Sequence, residues 1–294
     1  MKSNLINEEF LAQVEMLQSL IKNNVGGMFG GNHQSKTYGS SCEFADYRDY
    51  IPGDDVTKID WNAFARFDKL YQKLFLDERQ MHTKIYIDAS RSMEYSNLDK
   101  AECALKLAAT IAYISLNEMD KVSIYAIRDK KVHTIINGMV GKDAYISNIG
   151  KLNEVEFSGD CYISDAIMPE SVGYGDGLSV IISDFLTDNN YENAINYLND
   201  KRRDVLCIQL LSKEEINPLI RGKVHFFDSE NVSKAYRKNI NRDIINAYRK
   251  AVEYATGRLR DLCASIGASY ILACAEDDIA DIFFGKMIDM GVLK

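Results

Sequence analysis

From residue 81 onward, short apolar runs alternate with stretches of helical periodicity. Runs at 83–88, 121–128, 131–137, 178–184, 204–211, 223–228 and 269–275 have the length and β-branched content of strands. Helical spacing fits 98–119, 143–152, 162–170, 190–201, 233–266 and 278–289. This alternation predicts an α/β fold, a doubly wound and mostly parallel sheet covered on both faces. Segment 98–119 is apolar over much of its circumference (Leu98, Ala101, Leu105, Ala108, Ala109, Ala112), as expected of a helix laid tightly on a sheet. The longest helical candidate, 233–266, carries Tyr236, Ile240, Ile244, Tyr248, Val252 and Leu259 among many Arg and Lys. It reads as a helix with a solvated basic face, a docking surface being the alternative, and Gly257 marks a candidate break.

Before residue 81 the pattern changes. Phe10, Leu11, Val14, Leu17 and Ile21 follow Asn7 at helical spacing, with Glu8 and Glu9 in the first turn, so the chain opens with an N-capped helix. Glycines between 26 and 31 end it; without a following Gly-Lys-Ser/Thr or a preceding strand they read as a flexible connection, not a phosphate loop. Residues 36–80 are turn-rich with short β-type pieces, including Pro52-Gly53 at a turn and a strand near 70–75, and Trp61 reads as a core anchor. The expected organisation is therefore an N-terminal helix and β-rich extension, 1–80, packed on an α/β domain, 81–294.

Composition narrows the classes. A chain of 294 residues with 46% hydrophobic content can bury a sizeable core. Its 35 basic and 43 acidic residues give a net charge of −8, the opposite of a nucleic-acid footprint. No run of about 18 apolar residues occurs, so no membrane insertion is expected and the protein reads as cytoplasmic. Six dispersed cysteines without a Cys-x-x-Cys pair argue against a zinc ribbon or redox site. The four histidines are scattered, with no metal- or triad-type spacing, and no Gly-x-Ser-x-Gly elbow is present.

Candidate chemistry concentrates in Ile85-Tyr86-Ile87-Asp88-Ala89-Ser90-Arg91-Ser92-Met93. An apolar run delivers Asp88 to a strand end, and Ser90 and Ser92 follow at two-residue intervals. One carboxylate and two hydroxyls are hard oxygen ligands, suited to Mg²⁺ or another divalent cation that keeps open positions; a strand-end Asp capping the next helix is the plainer alternative. A second apolar run, 178–185, ends in Ser183-Asp184-Phe185. Ligands of open α/β sheets bind outside the carboxyl ends of the strands, so Asp88 and Asp184 on neighbouring strands would face one crevice.

The order Arg48-Asp49-Tyr50, Pro52-Gly53-Asp54-Asp55, Ile59-Asp60-Trp61, Ala65-Arg66, then Asp88 to Met93 and Ile182-Ser183-Asp184-Phe185, resembles the bacterial DUF58 family over nearly the whole chain. That family is similar to the von Willebrand factor A domain, whose metal-ion-dependent adhesion site (MIDAS) combines an Asp-x-Ser-x-Ser loop with a Thr and an Asp from two further loops. The resemblance implies metal ligands at Asp88, Ser90, Ser92 and Asp184, with Cys161 at the expected Thr position. A thiol suits Mg²⁺ poorly, so Ser158, Asp160 or Asp165 stand as other oxygen sources.

Members of the family are commonly encoded beside MoxR-type AAA+ ATPases. The resemblance therefore implies a non-catalytic, protein-binding adaptor in such a system, recognising its partner through the metal-side face. The rival is a Mg²⁺-dependent phosphatase or phosphotransferase with Asp88 as nucleophile. Such enzymes place a second Asp two residues on as acid/base, where this chain has Ser90.

Overall fold

The structure, a computed structural model, describes residues 5–24, 35–38, 44–77, 81–94, 99–170, 172, 177–187, 190–218, 222–227, 235–240 and 242–287. The Gly-rich segment at 26–31 and the end of the chain lie outside them. In chain order the elements are α1 (Glu8–Asn24), β1 (Ser35–Tyr38), β2 (Phe44–Asp49), α2 (Trp61–Phe67), β3 (Tyr71–Asp77), β4 (His82–Asp88), α3 (Arg91–Glu94), α4 (Asp99–Asn117), β5 (Lys121–Arg128), β6 (Lys131–Met139) and α5 (Lys142–Asn148). There follow α6 (Ile163–Ile167), β7 (Leu178–Ser183), α7 (Glu192–Asp200), β8 (Asp204–Leu211), α8 (Lys213–Ile216), β9 (Gly222–Phe227), β10 (Ala235–Ile240), α9 (Arg242–Ile266), β11 (Ser269–Cys274) and α10 (Ile279–Asp281).

The chain divides into two compact units, Met1–Phe29 with Met81–Lys294, and Gly30–Gln80. The boundary therefore differs from the one at residue 80: α1 belongs to the larger unit. The reason is its apolar stripe. Phe10, Val14 and Leu17, with Ile6 just ahead of the helix, are buried in one cluster with Leu107, Ile111 and Ile85. Asn7 caps the helix, its Oδ1 accepting the N–H of Phe10 at 2.9 Å.

In the smaller unit β3 lies between β1 and β2, antiparallel to both. Asp60 organises it. Its Oδ1 accepts the N–H groups of Asn62 and Ala63, capping α2, and its Oδ2 accepts the Tyr47 hydroxyl at 2.8 Å. These bonds, Tyr47 first, hold its carboxyl down at about 2. Trp61 is no core anchor: it is 61% exposed and meets Phe64 edge-on at 6.2 Å, while Ile59 takes the buried place.

The larger unit is built on a six-stranded sheet in the order β11-β8-β7-β4-β5-β6, parallel except for β6, which runs antiparallel to β5. Both faces are covered, so side chains alternate between two cores. Ile85, Ile87, Val180, Ile182, Ile208 and Leu210 pack with α1, α4 and α5. Tyr86, Ile181, Val205 and Cys207 pack with α6, α7 and α9. That two-sided burial is why the strands read as unbroken apolar runs. Helix α4 is buried through Ala104, Leu107, Ala108, Ile111 and Ala112, its alanines letting the backbone approach the sheet.

Two expectations are corrected here. Residues 235–240 are not the start of the long helix; they form β10, paired antiparallel with β9 from Ala235↔Phe227 to Ile240↔Gly222. Tyr236 and Ile240 are spaced as for one helix face, but the ladder to β9 satisfies the backbone instead, and α9 begins only at Arg242 with Asp243 in its first turn. Accordingly residues 223–227 of the expected 223–228 strand belong to this two-stranded ribbon, not to the parallel sheet, and residue 228 lies outside the described residues. Helix α9 then continues unbroken through Gly257.

Candidate functional site

Leaving β4, the chain goes to β5 and β6 on one side, then returns to β7 on the other side of β4. The order reverses between β4 and β7, paired in parallel from Lys84↔Ser179 to Ile87↔Ile182. Their carboxyl ends therefore open on the crevice where such sheets bind ligands.

Asp88 ends β4 and is 3% exposed. Its Oδ1 accepts the Ser90 N–H at 2.9 Å, and its Oδ2 accepts the Ser183 hydroxyl at 2.6 Å. Ser183 Oγ in turn accepts the Phe185 N–H at 3.0 Å, tying the ends of β4 and β7 together. The Ser90 and Ser92 hydroxyl oxygens lie 3.0 Å apart, and Ser92 Oγ donates to Asp184 Oδ2 at 2.9 Å. Asp184 Oδ1 accepts the Leu186 N–H, and its carbonyl accepts from Gln209 Nε2 on β8. Phe185 takes a left-handed backbone, φ 52°, and buries its ring against Tyr191, turning the chain away after Asp184. Thus Asp88, Ser90, Ser92 and Asp184, from two loops 92 residues apart, form one continuous hydrogen-bonded set.

The second loop runs beside the first. Ser158 N–H donates to the Ala89 carbonyl at 2.8 Å, and Arg91 N–H donates to the Gly159 carbonyl at 3.0 Å. Gly159 is required there: its φ is 71°, and a Cβ would stand 2.5 Å from Asp129 Oδ1. Cys161 is buried in the apolar cluster with Tyr86, Ile127, Ile163 and Phe185. Of the other oxygen sources, Asp160 Oδ2 accepts the Tyr162 hydroxyl at 3.4 Å and Asp165 pairs with Lys130 at 2.9 Å.

A cation already stands in the set, and sequence reasoning missed it. Lys100, in the first turn of α4, is 1% exposed. Its Nζ donates to Asp184 Oδ2 at 3.0 Å and to Glu215 Oε1 at 2.7 Å. Glu215 also closes the capping box of α8, accepting the Ser212 N–H. Burial opposes the ammonium charge, but the carboxylates of Asp184 and Glu215 outweigh it and raise the lysine above its ordinary value. Burial, and then the charge of Asp184, push the Asp88 carboxyl up. A lysine in the first turn of a helix whose sheet-facing side is otherwise apolar was the available signal for Lys100.

Among the described residues no three His, Cys, Asp or Glu side chains converge as a metal-binding group, so any cation would rest on the Ser90 and Ser92 hydroxyls and Asp184, with Asp88 behind them. The oxygen spacing is that of hydrogen bonds and is also one an octahedral Mg²⁺ accepts. Neighbouring ligands at right angles, 2.0–2.1 Å from the ion, are about 2.9 Å apart, and Ser90, Ser92 and Asp184 present oxygens 3.0 and 2.9 Å apart in succession.

The fold and the site describe a doubly wound α/β protein with a buried, hydrogen-bonded set of hydroxyls and carboxylates at its switch point. The chain belongs to the family described as protein of unknown function DUF58, whose profile matches residues 46–257. It is 24% identical over 239 residues to "Uncharacterized protein Rv1480" of Mycobacterium tuberculosis and to "Uncharacterized protein Mb1516" of Mycobacterium bovis, matches that cover 78% of this chain and 74% of each relative. Similar solved structures include an aerotolerance-related membrane protein from Bacteroides fragilis, at 18% identity and TM-score 0.37, over 72% of this chain and 96% of that one. Another is the SpRpn10 VWA domain, at 10% identity and TM-score 0.38, over 69% and 94%. No helix among the described residues is long and apolar enough to cross a membrane.

Proposed function

We propose that this protein is a non-catalytic protein-binding module that works with a MoxR-type AAA+ ATPase and recognises its partner at the carboxyl edge of the parallel sheet. The observation that carries this is the convergence of Asp88, Ser90, Ser92 and Asp184 at the β4/β7 switch point. Ser90, Ser92 and Asp184 would hold Mg²⁺ or a similar cation directly, with Asp88 behind them orienting Ser90. A bound divalent ion with an open position would supply a strong, directional attraction for a partner's Asp or Glu. The surrounding residues set the geometry: Ser183 fixes Asp88, and Gln209 fixes the turn carrying Asp184.

The catalytic rival is disfavoured by the same contacts. Both Asp88 oxygens are engaged, by Ser90 N–H and Ser183, and position 90 offers a hydroxyl where a phosphotransferase needs an acid/base. His82 stands at the opposite end of β4, bonded to Ser123.

The test is capture of interacting proteins from the source cells by the tagged chain, with Mg²⁺ or with chelator, followed by reconstitution with the purified ATPase. Ser92→Ala and Asp88→Asn should each weaken the reconstituted complex about tenfold, the scale of one lost charge-assisted contact. Binding equal to the parent's in both variants would move the recognition surface elsewhere. Phosphatase activity lost in Asp88→Asn would establish the rival.

A further inference from the structure

We infer that Lys100 is a tethered competitor for the cation position of this face, so that divalent-ion occupancy is set by whether Lys100 rests on Asp184 or withdraws to Glu215. The inference rests on the reading that the face takes a divalent ion. Asp184 Oδ2 carries two donors, Ser92 Oγ at 2.9 Å and Lys100 Nζ at 3.0 Å, and it is the same oxygen that completes the Mg²⁺-like edge with Ser90 and Ser92. A divalent ion on that oxygen and an ammonium bonded to it would repel strongly in a site this buried, so the two are alternatives.

Lys100 has somewhere to go. Glu215 Oε1 holds its Nζ at 2.7 Å, the shorter of the two contacts, and the Glu215 side chain is 24% exposed against 7% for Asp184. Lys100 can therefore give up Asp184 without being left as an unpaired buried charge, the costly outcome that otherwise locks such a lysine in place. Glu215 is anchored independently, since its other oxygen accepts the Ser212 N–H at 2.8 Å. The two carboxylates lie at the ends of neighbouring strands, Asp184 after β7 and Glu215 on α8 after β8. A partner contact that shifts α8 would thus shift the lysine and, through it, the affinity for metal.

The experiment is titration of the full chain with Mn²⁺, free ion followed by electron paramagnetic resonance and heat by calorimetry, with Mg²⁺ competition. Lys100→Met, which keeps the length and removes the charge, should bind about tenfold more tightly or better, since one unit charge beside the site is removed. Glu215→Gln should move affinity the other way, because Lys100 loses its second seat and stays on Asp184. Glu214→Gln, the same charge change on the adjacent residue, should leave it near the parent's. Thermal melts establish that each variant is folded, and Glu215→Gln keeps the test decisive if Lys100→Met is not. Equal affinity in parent, Lys100→Met and Glu215→Gln overturns the lysine proposal while leaving the metal-binding face intact. No binding by parent or variants at millimolar ion overturns both.

Discussion

At the amino edge of the sheet Arg203 is 5% exposed and is held by neutral oxygens: Nε donates to Ser179 Oγ at 2.6 Å, and Nη2 donates to the carbonyls of Leu178 and His82. At the carboxyl edge Lys100 is 1% exposed and is held by two carboxylates. The consequences are opposite. Burial lowers the pKa of Arg203, whereas the carboxylates around Lys100 override burial and raise it. A guanidinium whose partners include fixed backbone carbonyls is a clamp between strand ends. An ammonium shared between two carboxylate side chains has a second partner to fall back on. One sheet thus carries a cation held on neutral oxygens at one edge and a cation held between carboxylates at the other.

Breaking the clamp should cost the most. Arg203→Met leaves the His82 and Leu178 carbonyls and the Ser179 hydroxyl without their donor, and unsatisfied buried groups of this kind cost about 4 kcal/mol together. Chemical denaturation followed by circular dichroism should show that loss with no recovery on adding Mg²⁺. A change below about 1 kcal/mol would mean that water replaces the guanidinium and the edge is no clamp.

Lys100→Met should cost somewhat less, about 3 kcal/mol, because only Asp184 is left deeply buried while Glu215 is already partly exposed and keeps the Ser212 N–H. Unlike the first loss, it should be recoverable. Ion binding to the folded state adds about 2.7 kcal/mol at one hundred times its dissociation constant, so the variant's melting temperature should climb with Mg²⁺ more steeply than the parent's. Identical metal dependence in the Arg203 and Lys100 variants would erase the distinction between the two edges.

Ser183→Ala sharpens the comparison on a smaller scale. The hydroxyl donates to Asp88 and accepts from Phe185 N–H, so its loss should cost about 1 to 2 kcal/mol and loosen the β4 and β7 ends. Denaturation should show the cost, and Mn²⁺ titration of the same variant a weaker site. Full stability with unchanged metal affinity would place Ser183 outside the supporting structure.

These predictions mix groups that were legible in the sequence with groups that were not. Strands 121–128 and 204–211 coincide with β5 and β8 because residues buried on both faces leave a continuous apolar run. Asp88, Ser90, Ser92 and Asp184 were legible because strand ends and two-residue spacing are local properties. Lys100 was not, since its role is defined by partners 84 and 115 residues away. The same holds for 235–240, where Tyr236 and Ile240 suit a helix by spacing and the ladder to β9 decides the outcome. Trp61 misled for a simpler reason: size argues for burial, but the position after the Asp60 cap faces outward.

A last expected effect is a pH dependence arising at the amino edge. His82 is partly buried, and burial, followed by the charges of Lys84, Lys121 and Arg203, lowers its imidazole from the ordinary 6.5 to about 4. Its folded-state pKa lies below the unfolded value, so the unfolded chain binds the proton first. The stability associated with a neutral His82 is therefore complete above pH 6.5 and is lost progressively as the pH falls toward 4. His82→Gln, which can still bond the Ser123 hydroxyl now 2.9 Å from Nε2, should flatten the stability profile across that window. The carboxyl edge should not follow it, because the lysine there is held charged throughout and the raised Asp88 carboxyl works in the opposite sense, gaining stability as the pH falls. Denaturation midpoints of parent and His82→Gln at several pH values between 4 and 7 separate the two edges. A profile that is equally steep in both proteins would place the acid sensitivity outside His82, and not at Asp88, whose raised carboxyl makes stability rise as the pH falls.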